Sequence, residues 1–331
     1  MKSEDGGAQS PPLDGTGPLR PRLTSPGRRP SQSAIYDAAV LRSYVTGVTK
    51  LGNAHVRAEA RLRVLRLTQV PLFVSHRSRY TNVYHCSIYR SGSQWLRRLL
   101  SDSRVYRRCG LRTYGYQDKL PGRVDERPLT ERTFERPFPS HRIVTPLYLS
   151  FENFRDLPKP AAYRAFFVYR DPRDIVVSAY FLRRNTDTRG NTTEDRNFLQ
   201  AVSLEDGLIY TIDRAERRGT FDAFRSWSDA ASRDPNVKLI RYEDLTGDRG
   251  FGLIQDLMAH CDVAIDPKEL RELLDRGSFD RLSGGRRKGE ADRSSHYRRG
   301  VSGDWAKYFT PRIDERLNEV AGDLVPLFGY E

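Results

Sequence analysis

The sequence predicts an α/β domain with a central, mostly parallel sheet flanked by helices, and three observations carry that prediction. Short apolar runs alternate with helical patterns from about residue 76 onward, as βαβ units require. One run, Ala165–Tyr169 (AFFVY), is continuously apolar, the mark of a strand covered on both faces. Two runs pass directly into turns that open helices, through Ser91-Gly92-Ser93 and through Asp171-Pro172. A small-residue turn and a proline are both suited to a helix start.

Taken in order, residues 1–33 are rich in Pro, Gly, Ser and Arg and nearly devoid of bulky apolar side chains, which predicts a disordered arm. Over 34–75 apolar residues return at helical spacing (Ile35, Ala38, Ala39 and Tyr44, then Val56, Leu62 and Leu65). One or two added N-terminal helices are expected there. Arg57, Arg61, Arg63 and Arg66 make the segment basic and amphipathic. Packing on the main domain is the simpler reading, a membrane-surface role the alternative. The main domain is assigned to 76–331. Within it Asn82–Tyr89, Arg142–Leu149, Ala165–Tyr169 and Val237–Tyr242 read as strands, and Trp95–Leu100, Asp174–Leu182 and Phe251–His260 as helices. The polar stretch Arg183–Asn197 reads as a mobile loop.

A chain of 331 residues can bury one large core. No apolar run reaches the length of a transmembrane segment, and the polar N-terminus lacks a secretory core. The three cysteines, Cys86, Cys109 and Cys261, are odd in number and lack metal-ligand spacing. They are expected to be free thiols in a reducing compartment, hence a cytoplasmic protein. The net charge of +13, carried mostly by arginine, suits an anionic ligand. Nucleic acid is not the expected partner, since no stacking-aromatic motif accompanies the charge. Self-association is left open.

Three segments carry chemistry. In Ser87-Ile88-Tyr89-Arg90-Ser91-Gly92-Ser93-Gln94-Trp95-Leu96 an apolar strand ends at a small-residue turn. The unpaired N–H groups at the helix start suit a phosphate or sulfate. It is not a Walker A loop, because GxxxxGK[ST] is absent. In Phe166 through Tyr180 a buried strand runs into Arg170 and then a helix that Asp171 can cap, with Ser178 two turns along. Ligands of open α/β sheets sit at that strand end. In Tyr297-Arg298-Arg299-Gly300-Val301-Ser302-Gly303-Asp304-Trp305 adjacent arginines can clamp a phosphate. Its Gly303-Asp304-Trp305 reads as a helix start with an Asp cap. Each segment alone is equally an ordinary corner, an ion-paired arginine or a basic loop.

Together they resemble the PAPS-dependent sulfotransferase family, cytosolic type, over roughly residues 80–310. PAPS is 3′-phosphoadenosine 5′-phosphosulfate, the sulfuryl donor. The family's TYPKSGTTW motif is similar to Ile88–Trp95, its arginine-and-serine motif to Arg170 through Ser178, and its RKGxxGDW motif to Arg298–Trp305. Tyr242-Glu243-Asp244-Leu245 and Ser278-Phe279 resemble two shorter family motifs. The resemblance implies a P-loop-like single domain. It implies that Arg90, Ser91, Gly92, Ser93, Gln94 and Trp95 hold the 5′-phosphosulfate. Arg170 and Ser178 would hold the 3′-phosphate, helped by Arg298, Arg299 and Gly300. Trp95, Tyr242 and Phe279 would flank the adenine, with Ser278 beside it. No metal is implied.

The chain departs from the family twice. Arg90 stands where lysine is usual; it can stabilise the leaving phosphate but cannot donate a proton. Pro146 stands where the cytosolic branch has its catalytic histidine. Glu152 is the expected substitute base and His141 the fallback, although His141 should sit at the wrong end of its strand. Tyr148 is also near the right end. The remaining histidines, His55, His76, His85, His260 and His296, read as structural or surface residues. The expected activity is transfer of a sulfuryl group from PAPS to a hydroxyl or amine of a small-molecule acceptor. The alternative is a catalytically degenerate protein of the same fold that binds a nucleotide or polyanion. A nucleotide kinase is disfavoured by the missing Walker lysine.

Overall fold

The structure is a computed structural model and describes residues 73–185, 193–292, 295 and 297–331. The arm at 1–33 and nearly all of the extension at 34–75 lie outside the described residues, as do His55 and His296. Five strands form one parallel sheet in the order β2-β3-β1-β4-β5. They are β1 (Asn82–Ser87), β2 (Arg112–Tyr114), β3 (Arg142–Leu147), β4 (Tyr163–Tyr169) and β5 (Val237–Arg241). The chief helices are α1 (Ser93–Leu100), α2 (Pro172–Asn185), α3 (Leu204–Arg217), α4 (Gly250–His260), α5 (Pro267–Arg276) and α6 (Pro311–Ala321).

Alternate strand residues enter two cores. Val83, Ile143, Phe166 and Val168 pack with Leu96, Leu99 and Leu100 of α1 and with apolar residues of α4 and α5. Tyr84, Cys86, Val144 and Phe167 face the other way, toward Ile175 of α2, Leu208 of α3 and Ile313 of α6. β4 is covered on both faces, so Ala165 through Val168 are fully buried. This accounts for its unbroken apolar run. Trp227 stacks on Phe167 with ring centroids 4.5 Å apart and donates from Nε1 to the Leu149 carbonyl at 3.0 Å. Burying so large a ring requires that its N–H find a partner.

Two expectations change. The stretch Arg183–Asn197 is not simply a loop: α2 continues to Asn185, and a further helix, Thr193–Ala201, begins before the stretch ends. Leu199 in that helix is buried in the core, and the burial outweighs its polar composition. β2 was not anticipated. It is a three-residue edge strand, too short for a period-2 pattern to show.

The topology brings four strand ends to one edge. Tyr169 of β4 pairs with Arg241 of β5 in parallel register, so Arg170 and Tyr242 leave the sheet side by side. Cys86 of β1 pairs with Leu147 of β3, which sets Tyr148 close to the turn after β1. Ligands of open α/β sheets bind at this carboxyl edge.

Candidate active site

A cavity of about 280 Å³ opens at that edge. Every donor-side residue expected from the sequence lines it, except Ser91 and Ser278. Those two each adjoin a lining residue. Their Oγ atoms, together with Arg170 Nε, are buried without a hydrogen-bond partner among the described residues. Buried polar atoms are almost always satisfied, so Arg170 Nε, the one of the three that belongs to a lining residue, marks a place suited to a polar ligand.

The turn after β1 is shaped by backbone sterics. Gly92 caps α1 in the left-handed region (φ 78°), and a methyl group there would collide with the ring of Tyr242. Glycine alone allows both the conformation and the close approach. Arg90 also takes a positive φ of 71°. Non-glycine residues in this region concentrate where surrounding structure holds them for function. Arg90 Nε donates to Ser178 Oγ at 3.0 Å, joining the first segment to α2. Gly300 (φ 66°) presses on Phe279 in the same way as Gly92 presses on Tyr242. Trp95 Nε1 donates to the Gly277 carbonyl at 2.9 Å and ties α1 to the end of α5.

Arg170 joins all three segments. Its Nη1 donates to the Arg90 carbonyl at 3.4 Å and its Nη2 to the Val301 carbonyl at 3.2 Å. The guanidinium lies 5.0 Å from the centre of the Tyr242 ring. Burial disfavours its charge, but Asp174, Tyr242 and Glu243 more than offset this and raise its pKa. Asp174 serves the third segment too, accepting the backbone N–H groups of Gly303 and Trp305. Asp171 caps α2 through the N–H of Arg173 at 2.9 Å, as expected. Asp304 departs from expectation. It is buried and makes ion pairs with Arg298 at 2.5 Å and Arg299 at 2.6 Å. No side-chain cap is made at the start of its 3-10 turn, where Gly303 stands. Two guanidiniums in one loop compete successfully for the carboxylate.

On the far side of the turn, Tyr148 Oη lies 2.7 Å from Ser93 Oγ and accepts from Gln94 Nε2 at 3.3 Å. Its ring stacks on Tyr89 at 4.1 Å. Burial pushes its pKa up, so the phenol is neutral at physiological pH. Neither expected base reaches the cavity. Glu152 sits in a short helix after β3, with its side chain 46% exposed and 3.6 Å from Arg233. It points away because Phe151 and Phe154 take the buried face of that helix. His141 is exposed and precedes the amino end of β3, a whole strand from the site. Among the described lining residues there is no histidine, and Glu126 is the one carboxylate.

Residues 81–329 match the sulfotransferase domain. The chain belongs to the sulfotransferase family. Human sulfotransferase 2A1 is 25% identical over 182 residues, covering 51% of this chain and 60% of that protein. The match thus spans less than two thirds of the human protein's length. Flavonol 3-sulfotransferase of Flaveria bidentis is 25% identical over 264 residues, covering 72% of this chain and 80% of that one. Among solved structures, mouse sulfotransferase SULT7A1, crystallised with PAP, aligns with a TM-score of 0.49 and 21% identity. That alignment covers 78% of this chain and 87% of the mouse chain. Among the described residues of this chain, no helix is long and apolar enough to cross a membrane.

Sequence reasoning missed the wall facing Tyr89 and Tyr148. It is built by Gln117, Arg123 and Glu126 from one loop and by Arg214, Arg218 and Thr220 from α3 and the turn after it. No motif marks these residues, and no helix was expected over the residues that form α3.

Proposed function

We propose that the cavity binds PAPS and that the protein transfers its sulfuryl group to a hydroxyl or amine of a small-molecule acceptor. The observation that carries this reading is the convergence of the three basic segments on one cavity, with Arg170 Nε of the lining, and Ser91 Oγ and Ser278 Oγ of residues adjoining it, without hydrogen-bond partners among the described residues. Those atoms and the Gly92 and Gly300 cradles fit a nucleotide bearing two anionic groups. Arg90 and the turn at Ser91–Gln94 would hold the 5′-phosphosulfate. Arg170, Ser178, Arg298 and Arg299 would hold the 3′-phosphate, and Trp95, Tyr242 and Phe279 the base. When bound, PAPS supplies the activated sulfuryl group. The chain's own contribution is to position and to stabilise charge, as in phosphoryl transfer. Arg90 places a fixed positive charge where negative charge grows on the leaving phosphate. Transfer of labelled sulfate from PAPS to a panel of phenols, alcohols and amines tests the reading.

The lack of a histidine among the described lining residues favours a second reading, in which the cavity binds a nucleotide without turnover. The same assay separates the two: tight nucleotide binding with no transfer to any acceptor would favour it.

A further inference from the structure

The lining of the cavity divides by chain segment. The donor side consists of the turn after β1, the start of α2, Tyr242, Phe279 and the loop at 297–301. Three of its guanidiniums are met by carboxylates: Arg170 by Asp174, and Arg298 and Arg299 by Asp304. The rest of the lining, the acceptor wall, carries four further arginines, Arg123, Arg183, Arg214 and Arg218, against Glu126 as its one carboxylate among the described residues.

Three of the four, Arg183 among them, have interactions of their own. Arg218 pairs with Glu126 at 3.0 Å and donates to the Asp125 carbonyl at 2.9 Å. Arg214 Nε lies 2.7 Å from Asp195 Oδ2. The nearby carboxylate of Asp125 is taken by Arg127 at 2.9 Å and faces buried Arg132 at 3.7 Å. Arg123 differs. Its guanidinium makes no hydrogen bond or ion pair among the described residues, and its backbone sits at a positive φ of 57° next to Gly122. Arg123 therefore keeps a positive charge that no carboxylate among the described residues answers. The lining also includes Val124, Ile175, Ala179, Leu182 and Ala215, apolar surface for the body of a small molecule.

On the reading that this cavity transfers a sulfuryl group, we propose that its acceptor is an anion. It is a hydroxyl or amine compound that also carries a carboxylate or similar acid group, and Arg123 binds that group. A cationic wall raises the local concentration of anions and rejects cationic acceptors. An acid on Arg123 would gain a charge-assisted bond that its neutral analogue cannot form.

The test offers matched pairs: 4-hydroxyphenylacetate, 4-aminophenylacetate and a 3-hydroxy bile acid, each beside its carboxamide. Two quantities are measured, transfer from PAPS as kcat/KM and equilibrium binding to the protein loaded with 3′-phosphoadenosine 5′-phosphate. At least one acid should be favoured over its amide by roughly tenfold or more in both. Arg123→Gln should shrink that ratio about fivefold or more, and Arg123→Glu should invert it. Arg123 is exposed, so both variants should fold. The proposal is overturned if no acid is favoured in any pair, whether both members bind equally or neither binds. It is also overturned if both Arg123 variants leave the ratio unchanged. Preferential binding of acids without transfer from PAPS would uphold the anionic acceptor site and remove the sulfotransfer reading.

Discussion

The carboxylate of Asp174 accepts a hydrogen bond from Arg170 Nη2, four residues back along the chain, at 3.1 Å. The same carboxylate takes the backbone N–H of Gly303 at 2.9 Å and of Trp305 at 3.1 Å. It therefore fixes the strand-end arginine and the late basic loop relative to each other. Asp174→Ala should destabilise the fold by about 3 kcal/mol or more, since it leaves a buried guanidinium and two amides without their acceptor. Asp174→Asn keeps the shape but not the charge and should weaken 3′-phosphoadenosine 5′-phosphate binding. Urea unfolding and calorimetry measure the two effects. Wild-type nucleotide affinity in the asparagine variant would show that the loop holds itself.

A clamp dedicated to the 3′-phosphate should distinguish nucleotides that carry it from those that do not. The protein should bind 3′-phosphoadenosine 5′-phosphate at least about a hundredfold more tightly than AMP, as two or more charge-assisted bonds would give. Ser178→Ala should weaken the bisphosphate more than AMP, because it removes a 3′-phosphate contact while AMP can lose only the support that Ser178 gives Arg90. Calorimetry giving equal affinities for both nucleotides would remove the clamp.

The donor side was legible in the sequence because its chemistry is local. A strand, a tight turn and a helix start are consecutive residues, and glycine and proline mark them. The carboxylates behind the arginines were less so. Asp304 reads equally well as a helix cap, and only the fold shows Arg298 and Arg299 converging on it. The acceptor wall was not legible at all. Arg123 and Arg214 are far apart in sequence, and only the fold brings both to the lining of one cavity. The base could not be placed for a related reason. Distance along the chain from β3 put Glu152 close, but the amphipathic register of its short helix turns it outward.

Arg90 holds a left-handed backbone that costs an L-residue about 1–2 kcal/mol, so function and stability should separate there. Arg90→Gly should keep or gain stability while lowering turnover by a hundredfold or more. Arg90→Lys should retain substantial turnover, because it restores a positive charge beside the leaving phosphate. Steady-state rates and thermal unfolding on the same preparations check both. Wild-type turnover in Arg90→Gly would make Arg90 an ordinary turn residue.

Glu152→Gln and His141→Ala should each stay within about twofold of the wild-type rate across pH, since neither side chain reaches the cavity; a general base would cost about a hundredfold. Tyr148→Phe should lower the rate by removing the partner of Ser93 and Gln94, without moving either limb of the pH profile. A phenol whose pKa is raised by burial has no titration near neutrality to lose. A shifted alkaline limb in Tyr148→Phe would instead make this hydroxyl a proton carrier.

The last prediction concerns stability in acid and rests on His85. The ring is fully buried, stacks on Phe166 at 4.8 Å and has Nδ1 2.8 Å from Thr145 Oγ1, while Nε2 has no partner among the described residues. Burial pushes its pKa down to about 3 from the usual 6.5. The unfolded chain therefore takes up a proton below about pH 6.5 that the folded protein refuses until about pH 3. Stability from this residue is complete above pH 6.5, is lost progressively as pH falls, and levels off near pH 3. The loss should be of the order of several kcal/mol, as a fully buried imidazole would give. His85→Gln removes the titration but also the stacking and a well-fitted hydrogen bond. It should be less stable than wild type at pH 7, with the gap closing or reversing by about pH 4. Urea midpoints measured on both proteins from pH 7 to pH 4 decide the matter. Parallel curves would mean that His85 takes up its proton equally in the folded and unfolded chains, and that acid sensitivity arises elsewhere.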